Sequence, residues 1–121
     1  MCRRYDTLTC LKLYRGQSVS DLNITKAGEV ITLDRIQSAS SSREIAASFV
    51  FYDGLDVPSE ILVIKSRTAR KIDPYSLSIS GGRREKEYLL LPGTRFRVSR
   101  IGWNVINGVK KVRIVSLEEL E

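Results

Sequence analysis

Two segments joined by Asn107-Gly108 constrain the fold of this chain more than any other feature. They run from Thr94 to Trp103 and from Val109 to Val115, and both combine apolar with basic residues. Asn-Gly favours the positive backbone angles of a two-residue hairpin turn, whose twist matches that of the flanking strands. The sequence therefore predicts an antiparallel β-hairpin near the C-terminus.

A second strong signal is the apolar run inside Glu60–Lys65, which reads Ile-Leu-Val-Ile. A continuous run of this kind is typical of a strand that is buried on both faces. Weaker patterns predict three further strands, at Leu11–Gly16, Glu29–Leu33 and Glu85–Leu91. The polar segment Ser76–Arg84 predicts a loop.

One short helix is predicted after the serine cluster at Ser38–Ser42. Ser41 and Glu44 have the spacing of a capping box, in which a hydroxyl and a carboxylate satisfy free backbone N–H groups. Ile45, Ala46 and Phe49 then share a face of a helix that ends near Val50. A single helix among five or six strands indicates a β-rich α+β domain.

Composition limits the classes of protein that fit. The 121 residues, 42% hydrophobic and 28% charged, suit one globular domain. No stretch approaches the ~20 apolar residues of a membrane-spanning helix, and the N-terminus lacks a Sec-type signal. The absence of histidine excludes His-based triads and His-ligated metal sites. Cys2 and Cys10 are interpreted as free thiols.

Positive charge is concentrated in one part of the chain. The net charge is +6, but Lys65–Arg113 holds 13 basic and 3 acidic residues. Such a region can attract phosphate-bearing ligands, nucleic acid or an acidic protein surface, or it can simply be a solvated surface.

Three short segments carry a more specific pattern. Leu13–Gly16 places an aromatic-Arg-Gly sequence on a predicted strand, and Ser38-Ala39-Ser40 is followed at fixed spacing by Ile45–Phe49. Glu85–Val98 combines Glu-x-Glu, an apolar strand, a Pro-Gly turn and a Phe-x-Val strand. In order and spacing, these segments resemble the arginine–serine–glutamate class of mono-ADP-ribosyltransferases of the bacterial toxin and effector type.

The resemblance implies a β-rich α+β fold in which two packed antiparallel or mixed sheets surround an NAD cleft and helices are few. Residues 1–121 would form a single catalytic domain, either a minimal member or an excised C-terminal toxin domain. The implied activity transfers ADP-ribose from NAD to a macromolecule, with a protein arginine favoured as the acceptor, and releases nicotinamide. NAD is the co-substrate, and no metal is required.

The resemblance also assigns catalytic roles. Glu87, the second glutamate of Glu-x-Glu, would stabilise the positive charge that develops on the ribose, as in glycoside cleavage. Glu85 lies on the same face of the strand and would assist the acceptor arginine. Ser38 would orient Glu87, and Arg15 completes the catalytic set.

The expected NAD-binding residues come from the first two motifs. Arg15 would hold the pyrophosphate, because a guanidinium presents a planar fork of donors to phosphate oxygens. Gly16 would let the backbone approach the nicotinamide amide, and Ser38 and Ser40 would line the site, with Ser40 bracing the strand-to-helix junction. Phe49 either stacks on nicotinamide or is an ordinary core residue.

Two departures from the family pattern stand out. Ala39 occupies the position where the family usually has threonine. The chain also begins only about a dozen residues before the arginine strand, where family members usually carry helices.

Partners and rival functions complete the prediction. The resemblance implies a delivered effector that acts in the target-cell cytoplasm, does not insert into membranes and has a cognate immunity protein. Rival functions are an NAD glycohydrolase and a basic nucleic-acid-binding module. In a hybrid of the two classes, the basic face docks RNA or DNA that is then ADP-ribosylated. Trp103 either stacks on a base or, as is more usual for a tryptophan on a hairpin, belongs to the core. The phosphate-binding residues of that module would be Arg95, Arg97, Arg100, Lys110, Lys111 and Arg113.

Overall fold

A computed structural model describes residues 10–52, 58–71, 87–106 and 108–120. These residues form eight β-strands and one α-helix, together with a short 3-10 turn at Val19–Asp21. The expectation of a β-rich α+β fold is confirmed. The elements are β1 (Leu11–Ser18), β2 (Val30–Thr32), β3 (Gln37–Ser40), α1 (Arg43–Tyr52), β4 (Ser59–Ser66), β5 (Arg70–Lys71), β6 (Glu87–Leu90), β7 (Arg95–Ile106) and β8 (Lys110–Glu119).

The strands form a mixed sheet in the order β2-β7-β8-β4-β1-β3-β6-β5. β4 lies near the middle, antiparallel to β1 and parallel to β8, as its continuous apolar run predicts. Leu62 and Ile64 face the main core, which contains Phe96 and Leu13. Ile61 faces the other side, where it packs against α1. β4 is therefore covered on both faces.

The predicted hairpin is confirmed as β7 and β8. The Val109 N–H donates to the Ile106 carbonyl at 3.1 Å and closes the turn. Gly108 has a φ of +69°, in the left-handed region that a residue without a Cβ enters at little cost. A register shift between Val98 and Arg100 interrupts the pairing of the two strands.

The helix α1 is capped at both ends by side chains. Ser42 Oγ accepts from the Ile45 N–H at 3.4 Å and donates to Glu44 at 3.1 Å, so this cap lies one residue after the Ser41 that the spacing indicated. At the other end, the buried Lys110 ammonium donates to the Val50 carbonyl at 2.7 Å. A cation at this end complements the partial negative charge of the helix C-terminus.

The sheet consists of two groups of strands that meet at β1 and β3. In the described part of the chain these strands share the single register pair Tyr14–Ser40. β3, β6 and β5 lie on one side of this pair, and β1, β4, β8, β7 and β2 lie on the other. The two sheets implied by the resemblance are thus present as two groups, hydrogen-bonded into one sheet.

The serine cluster and the cysteines differ from what their local sequence predicts. The serine cluster contributes a strand, β3, because its backbone pairs with β6, although its sequence lacks an apolar alternation. Cys10 is disulfide-bonded, so the interpretation of free thiols is wrong.

The predicted loop Ser76–Arg84 and the first residues of the Glu85–Leu91 strand lie outside the described residues. No helix in the described ranges is long and apolar enough to cross a membrane.

Candidate active site

A cleft of about 220 Å³ opens where β1 and β3 separate beyond their shared pair. It contains most of the residues that the three sequence motifs nominated. Glu85 is the exception, since it lies outside the described residues. The lining residues are Tyr14, Arg15, Gly16, Ser38, Ala39, Ser40, Ile45, Ala46, Phe49 and Glu87.

Gly16 sets the distance between β1 and α1. A Cβ at this position would lie 2.1 Å from the Ala46 carbonyl oxygen and 3.2 Å from the Cβ of Phe49. Only glycine therefore lets the helix pack this closely on the strand. The close packing brings Phe49 to the wall of the cleft.

Arg15 is anchored by two hydrogen bonds. Its Nε donates to Gln17 Oε1 at 3.1 Å, and its NH1 donates to the Ser38 carbonyl at 2.8 Å. The second bond spans the gap between β1 and β3. Burial lowers the pKa of the Arg15 guanidinium, and nearby Arg35 lowers it further, whereas the Asp21 carboxylate raises it. An arginine remains cationic under such a shift, so the cleft holds a fixed positive charge.

Behind Arg15 lies a buried polar network that the motifs did not indicate. Gln17 Nε2 donates to Glu60 Oε2 at 2.7 Å, and Arg113 Nε donates to Glu60 Oε1 at 3.0 Å. Arg113 NH1 also donates to the Ile24 carbonyl at 2.7 Å. One sequence signal was available: Glu60 is a carboxylate at the start of the most apolar strand, where a charge requires a partner.

The two serines of β3 lie on the same face as Glu87. Ser40 is directly opposite Glu87 in the antiparallel pair of β3 and β6, and Ser38 is two residues along. Ser40 Oγ accepts from the Ser42 N–H at 3.0 Å, which braces the junction with α1 as expected. Glu87 is half-buried at the edge of the cleft. Ser40 is thus nearer to Glu87 in register than Ser38, which was expected to orient it.

Phe49 is not an ordinary core residue, because 52% of it is exposed. The core positions of α1 are Ala46 and Val50, which pack against Ile61 and Val112. Of the two interpretations of Phe49, the core position is therefore wrong, and stacking on nicotinamide stays a prediction.

The position of Ala39 in the fold accounts for the alanine that stands where the family usually has threonine. Its side chain is 5% exposed and packs in the main core. Side chains alternate along a strand, so Ala39 points away from the face that carries Ser38 and Ser40. A threonine hydroxyl at this position would face apolar side chains, and its loss removes no donor from the Ser38–Ser40 face.

The basic residues of the hairpin do not form one continuous surface. Lys110 is bound to the end of α1 and Arg113 to Glu60, so both are withdrawn from the expected phosphate-binding set. Arg97 and Arg100 are exposed on the face of the sheet that carries α1. Lys111 is on the opposite face, where its ammonium lies 5.1 Å from the centre of the exposed Trp103 ring. The predicted core position of Trp103 is therefore wrong.

Structural comparison relates the chain to bacterial ADP-ribosyltransferases. Exoenzyme S of Pseudomonas aeruginosa, in complex with human 14-3-3 protein beta and carba-NAD, has a TM-score of 0.64 and 26% identity over 91% of this chain and 48% of its own. Vis toxin of Vibrio splendidus, in complex with agmatine, has a TM-score of 0.62 and 22% identity over 91% of this chain and 49% of its own. Plx2a toxin of Paenibacillus larvae has a TM-score of 0.62 and 18% identity over 93% of this chain and 62% of its own.

These likenesses confirm the resemblance to bacterial mono-ADP-ribosyltransferases at the level of the fold. The chain spans about half the length of exoenzyme S and Vis toxin. No protein-family model matches the sequence, and no curated protein matches it either.

Proposed function

We propose that this chain is the NAD-binding and catalytic part of a mono-ADP-ribosyltransferase. The observation that carries the proposal is the meeting of Arg15, Phe49 and Glu87 in one cleft of a toxin-like fold. A guanidinium, an aromatic ring and a carboxylate correspond to the pyrophosphate, the nicotinamide and the ribose of NAD.

Arg15 would bind the pyrophosphate. A guanidinium has five N–H donors, and two are used by Gln17 and Ser38, which leaves three for phosphate oxygens. Phe49 would stack on the nicotinamide ring, a contact worth about 0.5–1.5 kcal/mol beyond the buried area. The cleft, at about 220 Å³, is smaller than the ~300–1,000 Å³ of drug-sized sites, so it would enclose only the nicotinamide end of NAD.

Glu87 would supply the chemical step. Cleavage of the nicotinamide–ribose bond leaves positive charge on the ribose, and a carboxylate held beside it stabilises the transition state more than the ground state. Nicotinamide departs with the bonding electron pair. The acceptor then attacks the anomeric carbon and loses a proton.

The acceptor in this proposal is an arginine of a protein. Glu85 would help the guanidinium lose its proton, because the pKa of arginine is above ~12. Vis toxin in complex with agmatine, a guanidinium compound, supports an arginine-like acceptor. The role of an effector delivered to a target cell belongs to the same proposal and is supported by the type III effector XopAI among the structural neighbours. A cognate immunity protein is part of the proposal through the resemblance to toxin domains.

The test is incubation of the purified protein with NAD labelled on the adenylate, together with a cell lysate. Label that is transferred to macromolecules and removed by protease, with equimolar release of nicotinamide, is the expected result. Release of nicotinamide without transfer would favour the glycohydrolase. Label removed by nuclease would identify a nucleic-acid acceptor, and absence of both products would refute the proposal.

A further inference from the structure

The buried network behind Arg15 has a defined direction. Its four side chains lie on one face of three adjacent strands, since Gln17 pairs with Glu60 in β4 and Glu60 pairs with Arg113 in β8. The bonds run without interruption from Arg113 through Glu60 and Gln17 to Arg15. The network thus reaches from β8 to the wall of the cleft.

The chemistry of each group fixes the orientation of the next. Glu60 is fully buried and forms an ion pair with Arg113, and a carboxylate in such a pair can only accept hydrogen bonds. Gln17 must therefore turn its NH2 group toward Glu60, which leaves its carbonyl oxygen facing Arg15. That oxygen can only accept, so it selects the Nε–H of Arg15 as its donor. The charge at Glu60 in this way determines the orientation of the Arg15 guanidinium.

The network does more than satisfy a buried charge. A buried carboxylate is destabilising unless it is paired, and among the residues that the structure describes Glu60 is paired with Arg113. Gln17, which is 5% exposed, satisfies the second oxygen of this carboxylate with its NH2 group. The other end of its amide, which the ion pair does not need, accepts from Arg15. Its position between the ion pair and Arg15 is what connects the core to the cleft.

We propose that Gln17 and Glu60 are positioning residues that hold Arg15 in the orientation required to bind the NAD pyrophosphate. This inference rests on the proposed function. By holding the guanidinium before the ligand arrives, the network removes part of the ordering that binding would otherwise require. Its contribution is to the affinity for NAD, because Arg15 contacts the pyrophosphate in both the ground state and the transition state.

The experiment compares Gln17→Met with the wild-type chain in an NAD-cleavage assay. Methionine is unbranched and has a similar size, but it offers Arg15 no comparable acceptor. We expect the KM for NAD to rise about tenfold while kcat stays within about twofold, the pattern of lost uniform binding. The matched control is Ser66→Ala, which removes a buried hydrogen bond to Glu119 outside the cleft and should lower stability without changing the KM.

A second measurement, made on the wild-type chain, needs no NAD. The Nε–H of Arg15, assigned by NMR with the help of Arg15→Lys, should exchange slowly with solvent because Gln17 binds it. An unchanged KM in folded Gln17→Met, or fast exchange of this proton in the wild-type chain, would overturn the inference. If wild-type protein cleaves no NAD, the proposed function fails, and the exchange rate still decides whether the network holds Arg15.

Discussion

β1, which carries Arg15, and β6, which carries Glu87, lie in the two different groups of strands. β1 pairs along its full length with β4, whereas β6, described from Glu87 onward, pairs with β3 and β5. Arg15 is held by the buried Gln17–Glu60–Arg113 network. Glu87 is half-buried at the edge of the cleft, and it is the first described residue of β6.

This difference suits two different tasks. A guanidinium that binds a pyrophosphate gains from a fixed direction, and long buried strands provide it. A carboxylate that acts where two substrates meet must be reached from outside, and Glu87 is only half-buried at the cleft edge. Substitutions on the Arg15 side should therefore change NAD affinity, and those on the Glu87 side should change turnover.

Glu87→Gln should have the largest effect. The amide keeps the size of the side chain but removes the charge that stabilises the transition state, so kcat should fall by about 10²–10³-fold or more. NAD affinity, measured by calorimetry, should change little. Glu118→Gln, a partly buried strand glutamate outside the cleft, is the control and should retain full turnover. Near-normal turnover in Glu87→Gln would remove this residue from the catalytic site.

Glu85→Gln should separate two activities. Transfer to an arginine acceptor should fall by about 10²-fold, because the acceptor loses its base. Slow hydrolysis of NAD should persist, since Glu87 is unchanged. Both products can be quantified from one reaction with labelled NAD and agmatine. Equal loss of transfer and hydrolysis would mean that Glu85 supports NAD binding or the fold instead.

Arg15→Lys should weaken NAD binding by roughly tenfold, because a point charge cannot reproduce the planar fork of donors. The bonds to Gln17 and Ser38 would also be lost or displaced. Calorimetric titration with NAD measures the effect, and the exposed Arg97→Lys provides the control. Unchanged affinity in Arg15→Lys would contradict the assignment of the pyrophosphate site.

Substitutions at Phe49 and Val50, which are adjacent in α1, should have the smallest effects but should separate NAD binding from stability. Phe49→Leu should weaken NAD binding several-fold with little loss of stability, because the ring is 52% exposed. Val50→Ala should lower stability by about 2 kcal/mol, because its side chain is fully buried. Thermal unfolding and NAD titration of both variants test this separation. A large loss of stability in Phe49→Leu would contradict this separation and indicate that Phe49 is a core residue.

Elements that depend on neighbouring residues were predicted better than contacts between residues distant in sequence. The hairpin, the β4 strand and the helix follow from turn chemistry and apolar spacing, which depend on neighbouring residues. β3 and β5 were missed because their strand structure depends on pairing with β6. The functions of Lys110 and Arg113 were misjudged for a similar reason: charge predicted exposure, whereas Val50 and Glu60, distant in sequence, bind them inside the fold.

In the candidate active site, too, the residues within motifs were predicted and their distant partners were not. The motifs nominated Arg15, Ser38 and Glu87, and these residues do line one cleft. The partners that orient Arg15 could not be identified, because Gln17 and Glu60 become neighbours only when β1 pairs with β4. Spacing along the chain reveals which residues share a motif, but not which buried groups support them.

The most direct test of the central claim is a crystal structure of Glu87→Gln in complex with NAD. We predict that the pyrophosphate contacts Arg15, that nicotinamide lies against Phe49 beside Gly16, and that the ribose 2′-hydroxyl faces residue 87. NAD bound elsewhere, or bound in the cleft with its ribose directed away from residue 87, would contradict the account.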